Sequence, residues 1–325
     1  MNTHAILAKA ALNHEQIKTK INIGCDGIEI QLLDEMLDKN DGRSWFDVHN
    51  VFNLEEFKTY PIKVIHTPII KGKDDVLLEH ITNVRDYKII YNSFVIANYF
   101  GKIQNITVGV VCHSETNKKQ LENIGNIWEE IKKRVNELLV QFPYTELLIE
   151  NMIPLRNIEN CPIIELSNNY LFDNVEIVQS LRSNLKTDRI GTVFDTCHQM
   201  ITKKYVDVLY DAIGDIRKPD ISMETYLRKN SPYIKLIHIA DMNGSGYGKG
   251  KHGLAFEEST YWKLKNILQL ADRYAKNCTI TLEVAENSYA NPTGYVITKH
   301  LVDQYYQQNM STTRLLNSQA CEAVR

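Results

Sequence analysis

The sequence predicts an α/β protein built as a single (β/α)8 barrel, and three observations carry that expectation. Short apolar runs rich in β-branched residues alternate with amphipathic stretches, the pattern of a parallel sheet with crossover helices. The runs number eight, the count at which such a sheet closes on itself. Four of the later runs carry a carboxylate or an imidazole at the C-terminal end, in the order Glu150, Asp195, His238, Glu283. The competing architecture is an open doubly wound sheet. It would want a phosphate-binding glycine turn after its first strand, and Ala10-Ala11-Leu12-Asn13 offers none.

The elements follow in order. The first strand is expected within residues 4–12, and Asn13 can cap a helix running to Ile23, because its side chain accepts from free first-turn amides. Further strands are expected at 26–33, 63–70, 106–113, 146–151, 191–197, 235–241 and 279–285. Apolar residues at three and four spacing mark helices at 77–100, 121–142, 175–185, 205–213, 261–275 and 296–307. The charged segment 211–231, with Pro219 at its middle, is expected to lengthen the sixth helical region. The barrel thus occupies residues 1–309, and 310–325, which lack periodicity, form a C-terminal tail.

Composition narrows the function classes. A chain of 325 residues, 43% apolar and 24% charged, is ordinary for a globular protein, and barrels of this kind often exceed 250 residues as one unit. Net charge is −3, so no global basic field draws nucleic acid. Apolar runs fall short of the roughly 18 residues that span a bilayer, and the first residues lack the charged-then-apolar order of a signal peptide. The six cysteines show no CxxC spacing, and Cys25, Cys112, Cys197 and Cys278 lie in or beside expected strands. These features are those of a reduced, cytoplasmic protein without a membrane partner. No GxSxG, HExxH or GxxxxGK[ST] motif occurs, so serine-nucleophile and P-loop chemistry have no support.

Polar groups at one end of successive parallel strands point into one mouth. Glu150 closes the apolar run Leu147-Leu148-Ile149 and Glu283 follows Ile280-Thr281-Leu282, where a carboxylate is costly to bury unless it is paired or metal-bound. With Asp195 and His238 they make an oxygen-rich set suited to Mn2+, Mg2+, Co2+ or Zn2+; an internal salt bridge is the plainer account. His66, His113, His198 and His252 also fall at strand ends or in the loops after them, as further metal or substrate groups. A single such histidine is ordinarily structural, and His198 could merely cap the next helix. Glu29, in DGIEI, follows the same burial logic and could only orient its neighbours. The stretch 241–257 holds five of the fifteen glycines. Its free amides, with Lys249 and Lys251, could clasp a phosphate, or it could be a plain surface loop or lid.

The Glu150, Asp195, His238, Glu283 order, with DGIEI after the first helix and VIHTP on the third strand, resembles the xylose-isomerase-like TIM-barrel superfamily (AP endonuclease family 2) across residues 5–305. That resemblance implies a divalent-metal enzyme of one of two kinds. A sugar isomerase or epimerase would hold one ion with those four residues. Glu150 and Glu283 would exchange a proton through an enediolate, with a small carbohydrate, phosphorylated or not, as substrate, while His198 and His113 bind hydroxyls. A zinc-dependent phosphodiester hydrolase of the endonuclease IV type, acting on abasic DNA, would add His66, His113, His198 and His252 as ligands. VIHTP, VCH and above all DTCH resemble this second pattern, with Glu150 bridging two ions. Against it, Gly250 stands where that branch has an aspartate, the chain after His252 is one residue short, and Thr67-Pro68-Ile69-Ile70 lacks its groove-entering aromatic. The isomerase is the favoured expectation; a barrel that binds a ligand without catalysis is the third. A homo-oligomer is compatible with the sequence.

Overall fold

The structure is a computed structural model and describes residues 4–33, 53–68, 76–114, 118–123, 125–152, 173–213, 220–243 and 252–322. Its strands are β1 (Ile6–Ala10), β2 (Gly27–Gln31), β3 (Ile62–His66), β4 (Val108–His113), β5 (Thr145–Glu150), β6 (Ile190–Asp195), β7 (Ile234–Ile239) and β8 (Thr279–Leu282). All pair in parallel and in chain order, and β8 pairs with β1, so the barrel is closed. The helices are α1 (His14–Ile23), α2 (Val84–Gln104), α3 (Lys118–Asn123), α4 (Ile127–Gln141), α5 (Asp173–Leu185), α6 (Thr196–Ile213), α7 (Met223–Asn230), α8 (Tyr261–Tyr274) and α9 (Thr293–Glu322). None of the described helices is long and apolar enough to cross a membrane.

Local chemistry explains the helix ends. The Asn13 side chain accepts from Gln16 N at 3.1 Å, and Gly24 closes α1 in the left-handed region at φ 102°, where a Cβ would be strained. Three boundaries differ from expectation. The stretch 121–142 is two helices, broken where Gly125 has φ 53°. Helix α6 starts directly after β6 rather than at 205, because the Asp195 carboxylate accepts from His198 N at 2.5 Å and caps the first turn. Within 211–231 a separate helix, α7, begins at Ser222, whose hydroxyl accepts from Thr225 N at 3.2 Å. Helix α9 continues to Glu322, so residues 310–322 are helical rather than a structureless tail.

The interior is layered by the pleat, which sends alternate side chains to opposite faces. Leu7, Val64, Val111, Leu148, Val193 and Leu236 form one buried apolar plate across the barrel. Two positions further along the same six strands stand Lys9, His66, His113, Glu150, Asp195 and His238, all buried. Glu29 of β2 and Thr281 of β8 complete this polar crown. The opposite pleat faces, among them Ile28, Ile65, Val110, Ile149, Phe194 and Ile237, join the main core with the inner sides of the helices. Each such side chain contributes roughly 1.5–3 kcal/mol of transfer free energy. Cys25, Cys112, Cys197 and Cys278 are free thiols, and the last three are buried as small core residues.

Candidate metal centre

Glu150, the last residue of β5, is the hub of the crown. Its Oε2 lies 3.4 Å from His66 Nε2, 3.5 Å from His113 Nε2 and 3.5 Å from His238 Nδ1, and its Oε1 lies 3.3 Å from His198 Nδ1. Three groups of side chains are close enough to hold a metal ion each: His66, His113 and Glu150; Glu150, Asp195, His238 and Glu283; and Asp195, His198 and His252. Glu150 belongs to the first two and Asp195 to the last two, so the sets form a chain with shared carboxylates. The structure therefore gathers all eight of the strand-end and loop residues singled out in the sequence. Lys249, Lys251 and Gly250 lie outside the described residues.

Each imidazole is aimed by what its other face touches. The His66 Nδ1 donates to Thr67 O at 2.9 Å, which turns Nε2 toward Glu150. The His238 Nε2 meets Glu29 Oε2 at 3.0 Å; an ionised carboxylate only accepts, so this nitrogen carries the proton. Glu29 is itself held by the Thr281 hydroxyl at 2.7 Å. Such carboxylate–imidazole pairs fix ring orientation at metal sites. Asn151 clamps the β6 end: its Oδ1 accepts from Asp195 N at 2.7 Å, its Nδ2 donates to Asp195 O at 3.1 Å, and its backbone oxygen takes His198 Nδ1 at 2.9 Å. His252 is brought back over the mouth because Asp241 and Leu254 exchange two 2.8 Å backbone bonds, while Lys263 pairs with the Asp241 carboxylate at 3.0 Å.

The donor set fits a cation on its own geometry. His238 Nδ1 and Glu283 Oε2 approach to 2.7 Å, yet neither makes a properly directed hydrogen bond, and Glu150 Oε2 is buried in the same condition. With its proton on Nε2, a neutral His238 ring would present a lone pair to that carboxylate, and two acceptors so close require a positive charge between them, a proton on Nδ1 or a bound ion in its place. Without an ion, the surrounding carboxylates stabilise that proton on His238. Burial works against the Glu150 carboxylate, but His238, His113 and His198 hold it well below the usual range. Glu283 is half-buried, which opposes its charge, yet Lys9 and His238 hold it well below the usual range. Burial also opposes charge on His238, yet Glu29, Glu283 and Glu150 raise it well above an ordinary imidazole. Asp195 is pushed up by burial more than His198 pulls it down. His66 is lowered by burial and by Lys9.

Lys9 is the residue that the sequence concealed. It projects from β1, contacts Glu283 Oε1 at 2.6 Å and Glu29 Oε1 at 3.5 Å, and is 7% exposed. Burial disfavours its ammonium, but Glu283, Glu29 and Glu150 outweigh that and keep it charged. Beside it a cavity of about 320 Å³ opens at the mouths of β1, β2 and β8, bordered by Gln31, Leu33, His252, Glu283 and Tyr289.

No protein-family model matches the chain, and no curated protein does. Solved structures do match. The 3-keto-D-glucoside 4-epimerase of E. coli, in its apo form, is 13% identical, with a TM-score of 0.52 over 94% of this chain and 99% of that one. An L-ribulose 3-epimerase is 11% identical, with a TM-score of 0.54 over 96% and 98%. Endonuclease IV from Thermus thermophilus is 13% identical, with a TM-score of 0.51 over 92% and 99%. At these identities the likeness is one of fold. It is the closed (β/α)8 barrel that the sequence resemblance implied.

Proposed function

We propose that this chain is a divalent-metal-dependent hydrolase of phosphate esters. One observation carries the reading: Glu150 is shared between a His66/His113 set and an Asp195/His238/Glu283 set. On the isomerase reading His113 would bind a substrate hydroxyl and His66 has no assigned part, whereas a carboxylate flanked on both sides by ligating groups suits a two-ion centre. When bound, such ions supply Lewis acidity toward a phosphoryl oxygen and bring the pKa of water toward neutrality. The chain's own residues provide the rest. Glu150 spans the two sets, Glu29 and Asn151 fix His238, Asp195 and His198, and the apolar plate shuts water out from below. The reaction class is attack by water on phosphorus opposite the leaving ester oxygen. The third set, Asp195, His198 and His252, has room for a further ion. A net charge of −3 argues for a small ester or a locally held phosphate over a long nucleic-acid track.

The isomerase or epimerase expected from sequence stays as a second reading, and the cavity beside Glu283 favours it, since its volume of about 320 Å³ suits a small carbohydrate. On that reading Glu150 and Glu283 pass a proton across the substrate carbon. Metal content after gentle purification decides, together with assays on bis(4-nitrophenyl) phosphate and on an abasic-site oligonucleotide. Two or three tightly held ions with diester cleavage are expected. One exchangeable ion, no cleavage and turnover of a ketose would overturn the hydrolase.

A further inference from the structure

Lys9 sits where a resident cation is a cost. It touches Glu283, a residue placed in a metal set, so an ion there would face an ammonium across one carboxylate. Strand β1 could have offered a neutral residue at this inward position; Leu7 below and Ala8 and Ala10 on either side are all apolar. The charge count gives Lys9 a use. The crown holds four carboxylates, Glu29, Glu150, Asp195 and Glu283. Set against Lys9 and one divalent ion, they leave one negative charge, which repels a phosphate. With two divalent ions and neutral imidazoles, they leave one positive charge, which matches a phosphodiester monoanion. An ammonium has three donors. Two carboxylates lie at 2.6 and 3.5 Å, and among the described residues bordering the 320 Å³ cavity Lys9 is the one lysine or arginine.

We propose that Lys9 is a substrate-contacting residue, donating its remaining N–H to an anionic oxygen of a phosphate ester seated in the cavity at the mouths of β1, β2 and β8. The inference rests on the hydrolase reading and assigns the side of the centre from which substrate enters. The same ammonium holds Glu283 Oε1, leaving Oε2 turned toward His238. Leu33, Val284 and Tyr289 then give the ester's organic part an apolar wall.

The test uses the metal-loaded protein, with inorganic phosphate as the calorimetric probe and bis(4-nitrophenyl) phosphate as substrate. In Lys9→Met, the metal content by mass spectrometry is expected to equal that of the wild type. Phosphate affinity should fall at least tenfold, and the diester KM should rise by a similar factor with a smaller change in kcat. Lys9→Arg should recover part of the loss. On the wild-type chain labelled with 15N-lysine, phosphate should shift the Lys9 Nζ resonance, assigned by its loss in Lys9→Arg, so the idea is testable even if Lys9→Met does not fold. Phosphate affinity within twofold of wild type in Lys9→Met, loss of its metal, or an unmoved Lys9 Nζ resonance would each overturn the proposal. A wild type that binds phosphate at Lys9 but cleaves no diester would sink the hydrolase reading alone.

Discussion

Glu150 gathers four imidazoles within 3.5 Å, so its chemistry cannot be separated from theirs. Removing its charge should disturb two sets at once, whereas Glu29 reaches the centre through His238 and Lys9. Glu29→Gln is therefore expected to weaken metal affinity about 10–100-fold, measured by competition with a chromophoric chelator. Glu283→Gln should abolish turnover and leave the circular dichroism spectrum and melting temperature of the loaded protein close to wild type. Full turnover in that variant would remove Glu283 from the centre. These carboxylates were legible in the sequence for an energetic reason: a charge closing a run such as Leu147-Leu148-Ile149 has to find a partner. Lys9 was not, because one lysine inside a short N-terminal run reads as an interruption of apolar character. Asn151 was not either, since nothing local distinguishes an amide that clamps a neighbouring strand from one in a loop.

All eight strands fall within the expected windows, give or take a residue at their ends, because parallel strands buried on both faces leave continuous apolar runs. Helix boundaries were less legible, since caps depend on side chains from outside the periodic stretch. Asp195 shows why: a strand-end residue starts α6 itself, placing His198 one turn in and back over Glu150. Helix α2 shows a different constraint. A Cβ on Gly101 would stand 2.6 Å from Tyr144 O and 2.9 Å from Ile106 O, both backbone atoms that cannot swing aside. Gly101→Ala is thus expected to cost about 1–3 kcal/mol, read as a lower urea midpoint, with metal content unchanged. A stability equal to wild type would mean that α2 lies further from the barrel.

Taken as one titrating body, the protein should respond to pH differently with and without ions. His198 is buried, which opposes its charge, but Asp195 and Glu150 raise its pKa from 6.5 to about 9. A group that binds its proton more tightly when folded stabilises fully below the unfolded value and ceases to do so as pH climbs through the folded one. The melting temperature of the ion-free protein should therefore fall between pH 6.5 and about 9. Ions compete with those same protons, so metal affinity should climb across that window and the loaded protein should hold its melting temperature. Scanning fluorimetry at stepped pH, with and without chelator, measures both slopes; parallel slopes would mean that the imidazoles are not where ions bind. The plate of Leu7, Val64, Val111, Leu148, Val193 and Leu236 carries a further consequence. Among the described residues it closes the base of the crown, so cargo and ions enter by the doorway at the strand ends. A guest lodged in that doorway should imprison what lies beneath it, and EDTA should strip the metal more slowly when phosphate is present.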